Sequence, residues 1–586
     1  MQKTLNLFLS LAFIFTGCKQ NSSDKLPGSS DASFQQLSES FISGYLAWRP
    51  QTAVSLGFHE FDGKLSDESK GSIDKELARL KDYNQKLEAL DTNALSGKMF
   101  YDYRILKNAI NTEIYNIQDF GIYTKNPMTY ASTIDVNIYL KRNFAPIEDR
   151  IRSIIAIENQ ALQLFEQAKA NLDDSLAKPY VETAIEIAKG SVAFLSTDLT
   201  IALKEVRNDT LMTSFNVSNK KAIDALNGYV TYLQKEKLPK AHTHYAIGRE
   251  NFMKMLLYNE GIRLSPEKIL AIGLEELKKE QISFNEAAKI INPNKKPIEV
   301  FNDLEKEHPS AENLIPDARK TLDSIRQFTI NRKIVGMPSE VRVQVKETPQ
   351  YARETSTASM DTPGPFETKS TESYYYITPV ESKWTAKQKD DWLKYFNYYT
   401  TDIVSIHEAY PGHYTQFLHL NSSSATHIEK IFASYAFVEG WAHYCEKMML
   451  DEGFGNNGDR IRAAKFRLSQ SNEALLRLCR LCVSIKTHCQ GMLIDSATKF
   501  LMDNWYQGEK PARLEALRGT FDPGYLFYTI GKWEILKLRA DYQKQEGTDF
   551  SLQKFHDKIL DNGMPPIILL RELLLKDKNT WSEILN

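Results

Sequence analysis

Apolar residues return every three or four positions along most of this chain, and this period constrains the fold more than any other feature. The pattern continues through residues 34–332 and is clearest in residues 148–172 and 268–285. Such spacing places one apolar stripe along an α-helix. The 586 residues are enough for one very large domain or several ordinary ones. We therefore predict a mainly α protein.

A different pattern interrupts the helices between residues 334 and 384. Val341, Val343 and Val345 alternate with polar residues, as they would in a half-buried strand. An aromatic run follows at residues 374–378. We expect these two segments to form a small antiparallel sheet set among helices, because helical periodicity resumes at about residue 385.

The N-terminus has the composition of an export signal. Lys3 is followed by an apolar stretch that is too short to span a bilayer, and small residues precede Cys18. This segment resembles the lipobox of bacterial lipoproteins, in which the cysteine is lipidated. An ordinary cleaved signal with a chance cysteine is the alternative. The resemblance implies an exported bacterial lipoprotein on the periplasmic side or the outer membrane, which contacts the membrane only through its lipid.

The predicted domain organisation follows from the helical pattern, the strand pattern and the export signal. It comprises a lipoprotein signal peptide at 1–18, a flexible tether at 19–32, and a helical domain at 33–586 whose two lobes cover about 33–333 and about 334–586. The 73 basic and 75 acidic residues leave a net charge of -2. Broad binding of nucleic acid needs a basic surface, so we expect no nucleic-acid partner.

The segment from His407 to His413 is the most informative for chemistry. Zinc hydrolases commonly place two histidines four residues apart on one helical face, with a glutamate beside the first. Here the histidines are six residues apart, which on a regular helix leaves them about 120° apart on different faces. Pro411 cannot donate a backbone hydrogen bond and Gly412 is conformationally free. A bulge or broken turn at this step would bring both imidazoles to one side.

A third ligand is expected from the helical segment that follows. Glu439 lies within that segment and is followed by Gly440, which is unfavourable inside a helix unless another backbone approaches closely. Two imidazoles and one carboxylate leave zinc an open position for water, whose pKa the ion lowers to about 7. Glu408 would then act as the general base. His443 and Glu446 are candidates for orienting the ligands.

Each of these residues also has an ordinary structural interpretation. The two histidines suit a helix end with a proline–glycine turn, and Glu439 suits a solvated helix surface. His443 is as well explained as a polar residue on a helix face. The convergence of the set favours the metal hypothesis over these separate alternatives.

The sequence resembles the domain-of-unknown-function 885 family, a bacterial branch of the gluzincin metallopeptidases. The resemblance rests on HExxPGHxxQ, matched at 407–416, and EGWAxYxE, matched at 439–446. Weaker matches occur at 272–277, at 523–539 and at 555–565. The resemblance implies a large helical body of the zincin or neurolysin type, with the small sheet beside the active-site helix.

The resemblance also implies roles for further residues. Tyr528 would donate a hydrogen bond to the oxyanion, and Arg539 or a nearby cation would meet a substrate carboxylate. His488 matches the histidine of a further family pattern, which implies a role in transition-state stabilisation, although in this chain Ser484 and Lys486 replace the acid and the glycine of that pattern. Tyr376, in the aromatic strand, would help to bind an extended substrate.

The leading hypothesis is therefore a zinc metallopeptidase with one zinc ion per chain, which acts on short peptides. One alternative is a peptide- or ligand-binding lipoprotein that keeps the fold without turnover. The other is a hydrolase of a non-peptide acyl bond. The intact Glu408 favours an enzyme, because binding zinc requires no base at that position.

Overall fold

A computed structural model of the chain describes residues 29–349, 353, 357–582 and 585. The predicted signal peptide, with Cys18, and most of the predicted tether lie outside these residues. The first half is helical, as predicted. Its helices are α1 Ser29–Trp48, α2 Pro50–Leu56, α3 Lys70–Glu88, α4 Gly97–Tyr115, α5 Met128–Ala131, α6 Ile138–Lys141, α7 Ile147–Glu158, α8 Ala161–Asn171, α9 Lys178–Ala193, α10 Leu199–Leu203, α11 Asp209–Tyr232, α12 Gly248–Glu260, α13 Pro266–Ile291, α14 Pro297–Leu304 and α15 Leu314–Asn331.

The second half contains the sheet and the remaining helices. The strands are β1 Gln344–Glu347, β2 Ala358–Asp361 and β3 Tyr374–Ile377. The helices are α16 Ala386–Tyr395, α17 Tyr398–Glu408, α18 His413–Ser422, α19 His427–Ile431, α20 Tyr435–Asp451, α21 Arg460–Gln490, α22 Ile494–Trp505, α23 Glu509–Phe521, α24 Phe527–Glu546, α25 Leu552–Leu560 and α26 Ile567–Leu574. Within the described residues, no helix combines the length and the apolar character needed to cross a bilayer.

Helix starts follow the local sequence. Ser265 accepts a hydrogen bond from the Lys268 N–H, and Pro266 occupies the first turn of α13. The N-terminal start differs from the prediction. Helix α1 begins at Ser29, so residues 29–32, which we assigned to the flexible tether, are helical.

The buried residues divide the chain differently from the predicted lobes. One core is confined to residues 54–245 and joins α7, α8, α9 and α11. A larger core runs from residue 277 to residue 575, so it includes α13, α14 and α15 together with the helices that carry the sequence motifs. The predicted boundary near residue 333 therefore does not coincide with a change of core. The pattern of apolar spacing does not reveal it, because helices on either side of a lobe boundary have the same period.

The sheet is mixed, and the prediction of an antiparallel sheet is wrong. The strand order is β1-β3-β2, with β1 parallel to β3 and β2 antiparallel to it. The connection from β1 to β3 is long enough to return the chain in the same direction, and it contains β2, which the sequence analysis missed. Residues 358–361 have no β-branched or aromatic alternation that would have identified this strand.

Two pairs of long helices build the framework around the sequence motifs. Helix α21 packs against α13, and α20 packs against α24. At the second crossing, a Cβ on Gly440 would lie 2.5 Å from Cα and C of Gly531. The predicted close approach at Gly440 is thus present, and it sets α20 and α24 backbone to backbone.

Candidate metal centre

The chain breaks its helix between the two histidines. Helix α17 ends at Glu408 and α18 begins at His413, and Ala409 between them has φ −114° and ψ −83°. Pro411 has no N–H to continue the helical ladder. The Gly412 N–H instead donates to the carbonyl of Ile406 at 3.0 Å. The Tyr410–Pro411 peptide is cis.

Glycine is required at 412 for a reason other than the one we considered. Its φ is −67°, so the left-handed region is not used. A Cβ at this position would instead lie 1.8 Å from the carbonyl oxygen of His407. The turn is fixed from the other side by Trp441, whose indole N–H donates to the Pro411 carbonyl at 2.9 Å. The break is therefore held by α20, the helix that carries the third candidate ligand.

The break brings the three candidate ligands together. The rings of His407 and His413 are 4.8 Å apart at their centres and nearly perpendicular. Nε2 of His407 lies 3.5 Å from Oε2 of Glu439, and Nε2 of His413 lies 3.6 Å from the same oxygen. All three ligand atoms lie within 4.8 Å of one another. The side chains that the spacing argument required to converge do so.

This donor set fits a divalent cation. In a tetrahedral zinc shell with bonds of 2.0–2.1 Å, neighbouring ligand atoms are about 3.3 Å apart, close to the two separations involving Glu439. Oε2 of Glu439 is buried and accepts no hydrogen bond from the described residues. A buried carboxylate oxygen without a donor is costly unless it meets a cation. Two imidazoles and one carboxylate are also a common ligand set of catalytic zinc sites.

A buried carboxylate orients the first histidine. Glu446 Oε1 lies 2.8 Å from Nδ1 of His407, and Oε2 lies 3.0 Å from Nδ1 of His443. An ionised carboxylate only accepts hydrogen bonds, so each ring donates through Nδ1, and Nε2 of His407 is left facing Glu439. Burial alone would raise the pKa of Glu446, but the charge of Arg477, 3.6 Å away, and the two histidines hold it well below its usual value.

The histidines of this cluster differ in charge. Burial alone would lower the pKa of His407, but the carboxylates of Glu439, 3.5 Å away, and Glu446, 2.8 Å away, outweigh burial and raise it to about 10. Burial, followed by the charge of Lys532, lowers the pKa of His443 to about 3. His443 is therefore neutral, while a cation that binds at Nε2 of His407 has to displace a proton.

Glu408 stands beside this cluster at the end of α17. Its side chain is half-buried, and within the described part of the chain it has no hydrogen-bond or ion-pair partner. Burial raises the pKa of Tyr375 in β3, and the hydrogen bond from Ser405 opposes this rise. The negative charge of Glu408 raises that pKa further, so Glu408 lies near this strand. The carboxylate thus lies close enough to the sheet to act on Tyr375, and its oxygens have no partner among the described residues.

Tyr528, in α24, lies near Glu439. Burial and then the charge of Glu439 raise the pKa of Tyr528. Its ring is 5.7 Å from that of Tyr435, and the guanidinium carbon of Arg480 lies 5.4 Å from its centre. The phenol is therefore neutral at physiological pH and able to donate a hydrogen bond.

Two residues suggested by the resemblance lie away from the cluster. His488 is fully buried, accepts the Ile247 N–H at Nδ1 and donates from Nε2 to the Gly519 carbonyl at 2.8 Å. Both ring nitrogens are used, so a role as a transition-state donor is contradicted. Arg539 lies about 16 Å beyond Tyr528 along α24.

The Arg539 guanidinium is also committed to structural contacts. It donates to Tyr444 at 3.0 Å and to Glu452 at 3.1 Å. These contacts tie α24 to the end of α20, and the role of this arginine in binding substrate stays a prediction. Tyr376 lies in β3, the central strand, which is paired on both sides. An extended substrate therefore cannot pair with this strand. Its side chain is buried against Tyr374.

Sequence reasoning missed two cations of the site. Arg477 on α21 and Lys532 on α24 are both largely buried, and both lie within reach of the Glu446–His443 pair. Each sits in a regular helical pattern with no motif of its own. Lys532 directly follows Gly531, which matches the family pattern within 523–539. That match was the only sequence feature that pointed to this part of α24.

Comparisons with known proteins agree with this architecture. A family model for bacterial proteins of unknown function (DUF885) matches residues 50–574. A candidate lipoprotein of unknown function from Shewanella oneidensis has a similar structure, with a TM-score of 0.77 and 25% identity over 93% of this chain and 100% of that chain. A candidate lipoprotein from Colwellia psychrerythraea has a TM-score of 0.77 and 17% identity over 95% of this chain and 99% of that chain, which shows the fold alone. No curated protein matches the chain. The family match covers most of the sequence, and the chain belongs to the bacterial DUF885 family.

Proposed function

We propose that this protein is a zinc-dependent hydrolase of peptide bonds, with a zincin-like catalytic region of the gluzincin type. One observation carries the proposal. The broken turn at Pro411–Gly412 directs His407 and His413 at the same oxygen of Glu439, and that buried oxygen accepts no hydrogen bond from the described residues. The three residues would hold one zinc ion per chain.

The chain's own residues then supply acid–base chemistry. When bound, the ion supplies Lewis acidity, which acidifies water and polarises a carbonyl. Glu408 accepts the proton of the attacking water, because its carboxylate adjoins the ligands and has no partner among the residues that the structure describes. The same residue delivers that proton to the leaving nitrogen. Tyr528 donates a hydrogen bond to the developing oxyanion.

Substrate would align along β2 rather than β3. Thr357 accepts the Thr378 N–H, so in this antiparallel pair Ala358 and Met360 direct their backbone groups away from β3. The outer edge of β1 is occupied, because Arg319 donates to the Val345 carbonyl at 3.1 Å. Within the described residues, the β2 edge is therefore the one we propose for pairing with an extended peptide.

The location proposed for the enzyme is the cell envelope. The signal-like N-terminus and the resemblance to two candidate lipoproteins support export and lipid anchoring at Cys18. A peptidase held there would meet short peptides outside the cytoplasm.

The test is a comparison of the wild type with Glu408→Gln. We expect about one zinc per chain in both proteins and loss of most peptide-library cleavage only in Glu408→Gln, since the amide cannot accept the proton. Glu275→Gln, at an exposed position on α13, is the matched control and should cleave as the wild type does. Equal cleavage by the wild type and Glu408→Gln would exclude the base. Zinc binding without cleavage of any peptide would favour a binding protein or a different acyl substrate.

A further inference from the structure

Lys532 is a buried lysine in an unusual environment. It is 6% exposed and lies directly after Gly531, where α24 touches α20. Among the described residues it has no carboxylate within ion-pair distance. Its contact is instead with His443, whose Nε2 lies 3.4 Å from the lysine Nζ. Lysine is rarely buried without an acidic partner, so this contact requires an explanation.

The hydrogen bonds of His443 fix the direction of this contact. Nδ1 of His443 donates to Glu446, because a carboxylate can only accept. Nε2 of the neutral ring then carries the lone pair and accepts from Lys532. An amine donates an N–H whether or not it is charged, so the contact does not depend on the charge of the lysine.

We infer that Lys532 is a positioning residue of the metal centre, which acts through His443 and Glu446 on the ligand His407. The inference rests on the proposed function. The lysine holds the His443 ring from the Nε2 side, so that Nδ1 stays directed at Oε2 of Glu446, and Oε1 is then aligned with Nδ1 of His407. Nε2 of His407 is thereby held towards Oε2 of Glu439.

Removing the donor would release this alignment. Without Lys532, Nε2 of His443 would be a buried acceptor that has lost its donor, which is costly. The ring would relieve this cost by turning towards another donor, and its 3.0 Å bond from Nδ1 to Glu446 Oε2 would be lost. Glu446 would turn away and His407 would lose its orientation. Partners that orient a metal-bound histidine in this way typically contribute 10- to 100-fold to metal affinity.

The experiment measures the zinc dissociation constant of the purified full chain by competition with a chelator. Lys532→Gln and Lys532→Met have side chains of similar length and both remove the charge, but only glutamine keeps an N–H donor. We expect roughly tenfold weaker zinc binding for Lys532→Met and a change of at most about threefold for Lys532→Gln. Lys544→Met, at an exposed position on the same helix, should bind as the wild type does.

A double-mutant comparison tests the route through His443. In a His443→Phe background, Lys532→Met should weaken zinc binding no further, because the relay is already broken. Equal affinities of Lys532→Met, Lys532→Gln and the wild type would overturn the inference while leaving the proposed function intact. Absence of zinc binding by the wild type would instead overturn the proposed function. If Lys532→Met does not fold, wild-type affinity in His443→Phe alone contradicts the relay.

Discussion

The crossing of α20 and α24 offers a sharp test of how the site is assembled. In Gly440→Ala, the new Cβ would lie 2.5 Å from two backbone atoms of Gly531 and 2.8 Å from the Lys532 nitrogen. Backbone atoms cannot rotate aside, so α24 must retreat by about 1 Å to restore van der Waals contact. Overpacking of this kind costs up to about 3 kcal/mol, and the helix propensity of alanine returns about 1 kcal/mol. We expect a net destabilisation of about 2 kcal/mol.

Gly228→Ala is the matched control. Gly228 lies inside α11, and a Cβ there would meet nothing within 4 Å. This variant should gain about 1 kcal/mol from helix propensity, so the two alanine variants should differ by about 3 kcal/mol. Urea unfolding followed by circular dichroism measures both. Because α24 also carries Tyr528, Gly440→Ala should cleave peptides 10- to 100-fold more slowly. Equal gains in stability by the two variants would refute the backbone contact.

Three further outcomes follow from the structure. Burial raises the pKa of Glu158 to about 7, above its unfolded value, so the wild type should lose stability as the pH rises from about 5 to 8. In urea unfolding measured across this pH range, Glu158→Gln should remove up to about 3 kcal/mol of that loss. His488→Leu leaves the partly buried Ile247 N–H and the buried Gly519 carbonyl unpaired, so it should destabilise the fold by about 1–3 kcal/mol and change kcat less than twofold. A large fall in kcat of the folded variant would instead support a catalytic role for His488. Zinc at 100 times its dissociation constant should add about 2.7 kcal/mol to stability, measured as a rise in Tm that a chelator reverses.

The sequence predicted features set by covalent and local constraints. A proline and a glycine between two histidines restrict a short stretch of backbone, so the broken turn could be inferred from 407–413 alone. Gly440 indicated a close backbone contact because glycine inside a helix needs a reason. Neither inference identified the contacting residue. Trp441 holds the broken turn and Gly531 meets Gly440, and both are remote in sequence from the residues they contact.

Features that depend on distant pairing were not predictable. The direction of β1 relative to β3 is decided by where the long connection returns, and β2 has no strand pattern of its own. The resemblance assigned Arg539 to substrate binding. Its contacts with Tyr444 in α20 and with Glu452 just after that helix could not be inferred from the sequence around Arg539. The Lys532–His443 contact joins residues that are 89 positions apart, and only the helix crossing brings them together.

The most direct test of the account is anomalous X-ray scattering at the zinc edge from crystals of the protein grown with zinc. We expect one strong peak per chain, bonded to Nε2 of His407, Nε2 of His413 and a carboxylate oxygen of Glu439 at about 2.0–2.2 Å. A site without a peak, or a zinc ion bound by other residues while these three point elsewhere, would contradict the account.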